Sequence, residues 1–353
     1  MPQLSRYDID QSYDWNYQNP PSLENIPHDV VAAAKTTIPG LWSICGLRVA
    51  SPLGIAAGPL LNGDWLLYYA GLGFDILTYK TVRSGFRTCY AAPNLQPVAV
   101  DQMTGSEESV SADETMRGTW AVSFGMPSQD PEVWRTDVAR IRRQLPADKL
   151  LCVSVVGTMQ PNWTIDNLAD DYARCAAWAV QSGADMVEAN FSCPNVTSCD
   201  GQLYQNPSDA GKVAARIREY VGDIPVILKV GYLPDPVQQH ALLQAVAESA
   251  SAIATTNGIA AQVTNQNGMM WQGERRGICG DGIRSESLRQ VASMRNIIQR
   301  HNLPIELVGI GGIQNHKHVQ QYLAAGASTV QLATQAMLDP TVAFQIRQEW
   351  NQR

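Results

Sequence analysis

Eight short apolar runs punctuate the chain, and most end in small or polar residues followed by a stretch with helical spacing. They are LGIAAG from Leu53, FDILTYK from Phe74, KLLCVSVVG from Lys149, DMVEANFS from Asp185, PVILKV from Pro225, GIAAQVTN from Gly258, IELVGIGG from Ile305 and STVQLAT from Ser328. They lack polar alternation, the pattern of parallel strands buried on both faces. Between them, IDNLADDYARCAAWAVQSGA keeps apolar residues at helical intervals and closes on Gly183, a residue suited to a helix C-cap. HKHVQQYLAAGA ends the same way at Gly326, and PVQQHALLQAVAESA opens with Pro236 in its first turn. Eight strands alternating with helices predict an α/β fold, a (β/α)8 TIM barrel rather than an open doubly wound sheet. An open dinucleotide-binding sheet would place GxGxxG after its first strand, and this chain reads AAGPLLNGD there.

Two segments do not fit a bare barrel. Residues 1–45 precede the first strand and carry Trp15, Trp42 and several tyrosines, so they are expected to pack on the barrel as an N-terminal extension. The barrel itself is expected over residues 46–353. Residues 83–130, after the second strand, are too long for a simple loop and predict an excursion beside the barrel mouth.

Composition narrows the class of function. The formal net charge of −7 argues against a broad nucleic-acid surface, and no apolar run reaches 18 residues. A soluble, cytoplasmic protein with no nucleic-acid or membrane partner is the expectation, and the oligomeric state is not legible. The seven cysteines form no CxxC pair and predict neither a disulfide framework nor a metal site. Cys193 differs from the others in lying between two asparagines, Asn190 and Asn195.

Reacting groups in such barrels sit at the C-terminal strand ends. Here those ends carry Lys80 and Thr81, then Asn190, Cys193 and Asn195, then Lys229, then Thr264 and Asn265. Strand seven ends in Gly309, Gly311 and Gly312, and strand eight in Ala333 and Thr334. Glycines after strand seven, with a hydroxyl and a helix start after strand eight, make a cradle of backbone amides for a phosphate. Lysines at the inner ends of buried strands need partners; they form either an internal salt bridge or a fixed positive charge beside a cofactor that becomes anionic on reduction. The combination suits flavin mononucleotide (FMN).

EANFSCPNV, ILKV, VTNQNG, GIGGI and VQLAT resemble, in order and spacing, the motifs of the dihydroorotate dehydrogenase family, from about Leu47 to the C-terminus. The cysteine of SCPN resembles the soluble class 1 branch. The resemblance implies an FMN enzyme oxidising dihydroorotate to orotate in pyrimidine biosynthesis, often as a homodimer. It implies Cys193 as the base that takes a proton from the ring, with Lys80 close to both cofactor and substrate. Asn190, Asn195 and Asn265 would hold a cyclic imide, with Gly125 beside it. Ala57, Gly58, Lys80, Thr81, Asn190, Lys229, Thr264, Gly280, Gly311, Gly312, Ala333 and Thr334 would line the flavin. The chain departs from the family where VSFGMPS replaces a motif of the form NSMGLPN, which puts Val122 in place of an asparagine. That change keeps another cyclic amide or activated alkene open as the substrate. A tRNA dihydrouridine synthase-like enzyme lacks support from the acidic balance, and a non-catalytic flavin binder would not need the Asn–Cys–Asn arrangement.

Overall fold

The computed structural model describes residues 4–192 and 202–352. Eight parallel strands close into a barrel. In chain order they are Leu53–Ile55, Ile76–Val82, Leu150–Val155, Met186–Asn190, Val226–Lys229, Ala252–Thr255, Glu306–Ile310 and Thr329–Leu332. Strand eight pairs with strand one, Val330 opposite Leu53, to complete the ring. Local sequence sets the surrounding helices. Asn62 caps the helix Gly63–Gly71 by accepting from the amides of Asp64 and Trp65, both at 3.1 Å. Pro207 and Pro236 open the helices after strands four and five, each behind an Asn or Asp cap.

The sixth barrel strand is not the run at Gly258. It is the shorter AIAT of Ala252–Thr255, which pairs with strand five on one side and strand seven on the other. Residues Ile259–Asn265 instead form an antiparallel pair with Arg276–Gly280, which pairs in turn with Thr119–Val122 and through it with Leu95–Pro97. Ser109–Ser111 adds alongside Ile259–Asn265. The excursion after strand two and a second one after strand six thus join into a single sheet roofing the mouth. Val98, Met103, Val110, Ala121, Ile259, Val263 and Ile278 give it an apolar core of its own.

The barrel interior changes character along its axis. Near the floor, Ile76, Leu150, Met186 and Ile227 meet Ile44 and Val49 from a hairpin, Trp42–Ile44 with Leu47–Val49, that plugs the bottom. Towards the mouth the inward residues become Thr78, Lys80, Ser154, Glu188, Asn190, Lys229 and Gln331, all buried. A packed apolar layer beneath a buried polar one marks the mouth as the working end.

The N-terminal residues are fastened to the barrel's flank. Tyr68 donates to the Ser5 carbonyl at 2.8 Å, Trp65 Nε1 to that of Asn16 at 2.9 Å, and Tyr7 and Tyr13 pack edge-on against Phe124 at the mouth. On the floor, the buried carboxylate of Asp75 takes Lys149 at 2.7 Å and Arg347 from the C-terminal helix Val342–Trp350. Arg347 also donates to the carbonyls of Gly73 at 2.8 Å and Thr36 at 2.7 Å, so this guanidinium ties both chain ends to the barrel.

Candidate active site

Two adjoining cavities open between barrel and roof, with about 810 and 590 Å³ of open space. Gly58, Val122, Phe124, Lys229, Asn257 and Cys279 line both, which makes them one continuous cleft. The larger end reaches Gly311, Gly312, Ala333 and Thr334. The smaller holds Ala57, Lys80, Thr81, Gly125 and Asn190.

At the larger end, Gly311 and Gly312 adopt φ of +121° and +67°, the left-handed region that favours glycine. A Cβ at Gly311 would fall 2.3 Å from Ser287 Oγ, so the loop lies tight against the preceding helix, Arg284–His301, and borders the cleft. Gly280, at φ +106°, approaches the Gly118 carbonyl where a Cβ would be at 2.1 Å. Gly58 shows the opposite: a Cβ there would meet no atom within 4 Å. It borders space that the protein itself does not fill.

At the smaller end, the buried polar layer forms the floor. Asn190 accepts from the Ser192 amide at 3.1 Å, its Nδ2 faces Met126 Sδ at 3.6 Å, and Tyr172 donates to its carbonyl at 2.9 Å. Its side-chain amide is therefore held from two sides, and its backbone carbonyl by Tyr172. Asn257 Nδ2 donates to the Ser192 carbonyl at 2.6 Å, tying the end of strand six to that of strand four. Gly125 sits at φ +72° with the Tyr90 ring where a Cβ would be, 2.5 Å away. Lys80 and Lys229, 7% and 5% exposed, bring two ammonium groups to this floor. Lys229 Nζ lies 3.9 Å from Glu188 Oε1. The nearby thiol of Cys89 is pushed up to about 11 by burial, an effect that the charge of Lys80 opposes.

The structure brings together Ala57, Gly58, Lys80, Thr81, Gly125, Asn190, Lys229, Gly280, Gly311, Gly312, Ala333 and Thr334 around the cleft. Thr264 and Asn265 do not join them. They belong to the roof sheet, where Asn265 pairs with Gly268 in an exposed hairpin and Thr264 lines neither cavity. The strand-six contribution is made by Thr256 and Asn257 instead. Cys193 and Asn195 lie outside the described residues, one and three positions beyond Ser192, which lines the cleft. Glu188, which lies beneath the cleft, and Gln331, Asn257 and Cys279, which line it, are not among the residues that the sequence pattern points to. The first two were legible as polar side chains inside otherwise apolar strands.

The set of groups fits a planar, phosphate-bearing cofactor. Glycine loops offer backbone at one end, and buried amides and ammonium groups offer polar contacts at the other. Gln331 Oε1 and Ser192 Oγ are buried without a hydrogen-bond partner among the described residues, and both residues border the cleft. Buried acceptors and hydroxyls of this kind are ordinarily satisfied. Among the described residues, no helix is long and apolar enough to cross a membrane and no His, Cys, Asp and Glu cluster could hold a metal.

Comparison with known proteins agrees with this geometry. Residues 113–353 match the family model described as dihydroorotate dehydrogenase. A dihydroorotate dehydrogenase of Dictyostelium discoideum is 31% identical over 357 aligned residues, covering 96% of this chain and 95% of that protein. The NAD-dependent dihydropyrimidine dehydrogenase subunit PreA of Escherichia coli K12 is 28% identical over 210 residues, 56% of this chain and 47% of its own. In fold, the chain resembles a crystal structure of DHODH from Eimeria tenella in complex with ferulenol, with a TM-score of 0.74, 16% identity, and coverage of 93% and 87% of the two chains.

Proposed function

This chain belongs to the dihydroorotate dehydrogenase family of oxidoreductases, and from that premise we propose that it is an FMN-dependent enzyme that oxidises dihydroorotate to orotate. The observation that carries the reading is the continuity of the cleft. One end is a glycine-lined cradle for a phosphate, and the other a floor built from Lys80, Asn190 and Lys229. Gly280, Gly311, Gly312, Ala333 and Thr334 would hold the phosphate end of FMN, and Ala57, Gly58, Thr81 and Lys229 its ring. FMN, when bound, supplies the hydride acceptor.

The substrate's ring would lie over the floor with its amide edge towards Asn190, which offers a donor and an acceptor together. Asn257 holds the Ser192 carbonyl and so steadies the backbone that leads into Cys193. Cys193 would receive the proton from the ring carbon beside the carbonyl, while the neighbouring carbon gives up its hydride. A free thiol titrates near pH ~8.5, so the reactive thiolate depends on positive charge nearby, which Lys80 and Lys229 bring to this end of the cleft.

A second reading, an uncharged dihydropyrimidine as substrate, is favoured by Val122. This residue lines both cavities beside Phe124 and offers no hydrogen bond to a carboxylate. The test is an anaerobic absorbance spectrum of the purified protein before and after adding dihydroorotate, and separately dihydrouracil. Flavin bands that bleach with dihydroorotate support the first reading; bleaching only with dihydrouracil supports the second. Protein reconstituted with FMN that shows no flavin bands overturns both.

A further inference from the structure

The carboxylate of Glu188 is fully buried inside the barrel, one layer beneath Asn190. Its strand register places it opposite Ser154 on one side and Ile227 on the other, at the height where the interior turns from apolar to polar. Its Oε2 accepts from Gln331 Nε2 at 3.2 Å, and the same Nε2 donates to Thr78 Oγ1 at 3.1 Å. Its Oε1 has no hydrogen bond among the described residues and lies 3.9 Å from Lys229 Nζ. Both residues that face Glu188, Lys229 and Gln331, also line the cleft, whereas Glu188 itself does not reach it.

An anion placed this way is not explained by packing. Burying a carboxylate costs several kcal/mol even after relaxation, and a separated ion pair with one orphaned oxygen recovers that cost poorly. The arrangement makes sense if the negative charge serves the lysine above it. Lys229 and Glu188 are opposite charges stacked at the cleft floor, and of the two only Lys229 lines the cleft.

We infer that Glu188 is a positioning residue that sets the reduction potential of the bound flavin through Lys229. It holds the ammonium at the cleft floor and offsets part of its field. This inference rests on the proposal that the cleft binds FMN. Negative charge arrives on the ring with the hydride, so the uncompensated Lys229 would favour reduction, and Glu188 moderates that preference. Gln331 bridges Glu188 to Thr78 and fixes the carboxylate on strand four against strands two and eight.

The experiment is the midpoint potential of the FMN-loaded protein, measured by dye equilibration, for the wild type and three variants. Glu188→Gln removes the buried negative charge and is expected to shift the potential positive. Lys229→Met is expected to shift it negative, and the double variant to return it most of the way to the wild-type value. If Glu188→Gln alone is not recovered folded, the comparison of Lys229→Met with the double variant isolates the same charge: the double must lie positive of the single. A merely structural glutamate would move stability without producing shifts of opposite sign. Flavin that binds with a potential unmoved or lowered by removing Glu188, in either background, overturns this inference alone. Wild-type protein that binds no FMN overturns it together with the functional proposal.

Discussion

Gly58 offers a way to separate the site from the fold. It borders both cavities, a Cβ built on it would meet no atom within 4 Å, and its backbone is not among the positive-φ glycines. Gly58→Ala should therefore fold without strain. Replacing a glycine at a compatible backbone position stabilises by about 0.4–1 kcal/mol through the unfolded chain, so the thermal midpoint of the flavin-free protein should hold or rise slightly. The added methyl projects into the space assigned to the flavin ring. Forcing one extra carbon into an occupied, well-packed volume costs roughly 1–3 kcal/mol. At tenfold per 1.4 kcal/mol, that is a loss of about 5- to 150-fold in FMN affinity. Quenching of FMN fluorescence on titration with the flavin-free protein measures the affinity, and thermal unfolding measures the stability. An unchanged affinity in a normally folded variant would refute the placement of the ring beside Gly58. A lowered midpoint would refute the claim that the space is free.

Three further predictions follow from other parts of the molecule. Asp75→Ala leaves Arg347, 3% exposed, without its buried carboxylate; the loss should be about 3–5 kcal/mol in urea unfolding, with the cleft chemistry intact in the fraction that remains folded. Val122→Asn supplies an amide where the roof is apolar, and a hydrogen bond to a charged group contributes about 1.5–3 kcal/mol. The KM for dihydroorotate should then fall roughly tenfold or more, and an unchanged KM would place the substrate carboxylate elsewhere. His318, which accepts from the Gln314 amide at 3.3 Å, titrates below the ordinary imidazole value because of its burial first and the charge of Arg284 second. The folded protein therefore binds this proton less readily than the unfolded chain. Its contribution to stability is present above about pH 6.5 and is lost as the pH falls below that value. A His318→Gln variant should show a flatter acid limb in unfolding experiments.

Much of the barrel was legible because its strands are buried on both faces and so read as unbroken apolar runs. The sixth was missed for a physical reason. Ala252–Thr255 has only four residues and turns alanines, Ala252 and Ala254, towards the crowded interior, so it carries little hydrophobic signal. The run from Gly258 carries more, yet Ile259, Ala261 and Val263 are buried while Ala260, Gln262 and Thr264 are half-exposed. That alternation is the mark of a sheet covered on one face, and reading it as such would have moved the strand end to Thr256 and Asn257. The cleft-lining positions on strands one, two, four, five, seven and eight were legible because strand ends and glycine loops have local signatures. Glu188 lies beneath the cleft and Gln331 borders it, and only the closed ring of strands brings them together with Lys229. Cys279 comes from the roof, whose pairing of Val122 with Gly277 no local pattern announces.

The cleft has two walls of different origin. Lys80, Asn190, Lys229 and Gln331 stand on barrel strands whose hydrogen bonds hold the ring closed. Val122, Trp120 and Leu95 stand on the roof sheet, which is spliced from two excursions and has a separate apolar core. Substitutions in the roof can reshape what the cleft admits while the barrel-borne groups keep their places. An enzyme divided in this way can change its diet without relearning its chemistry.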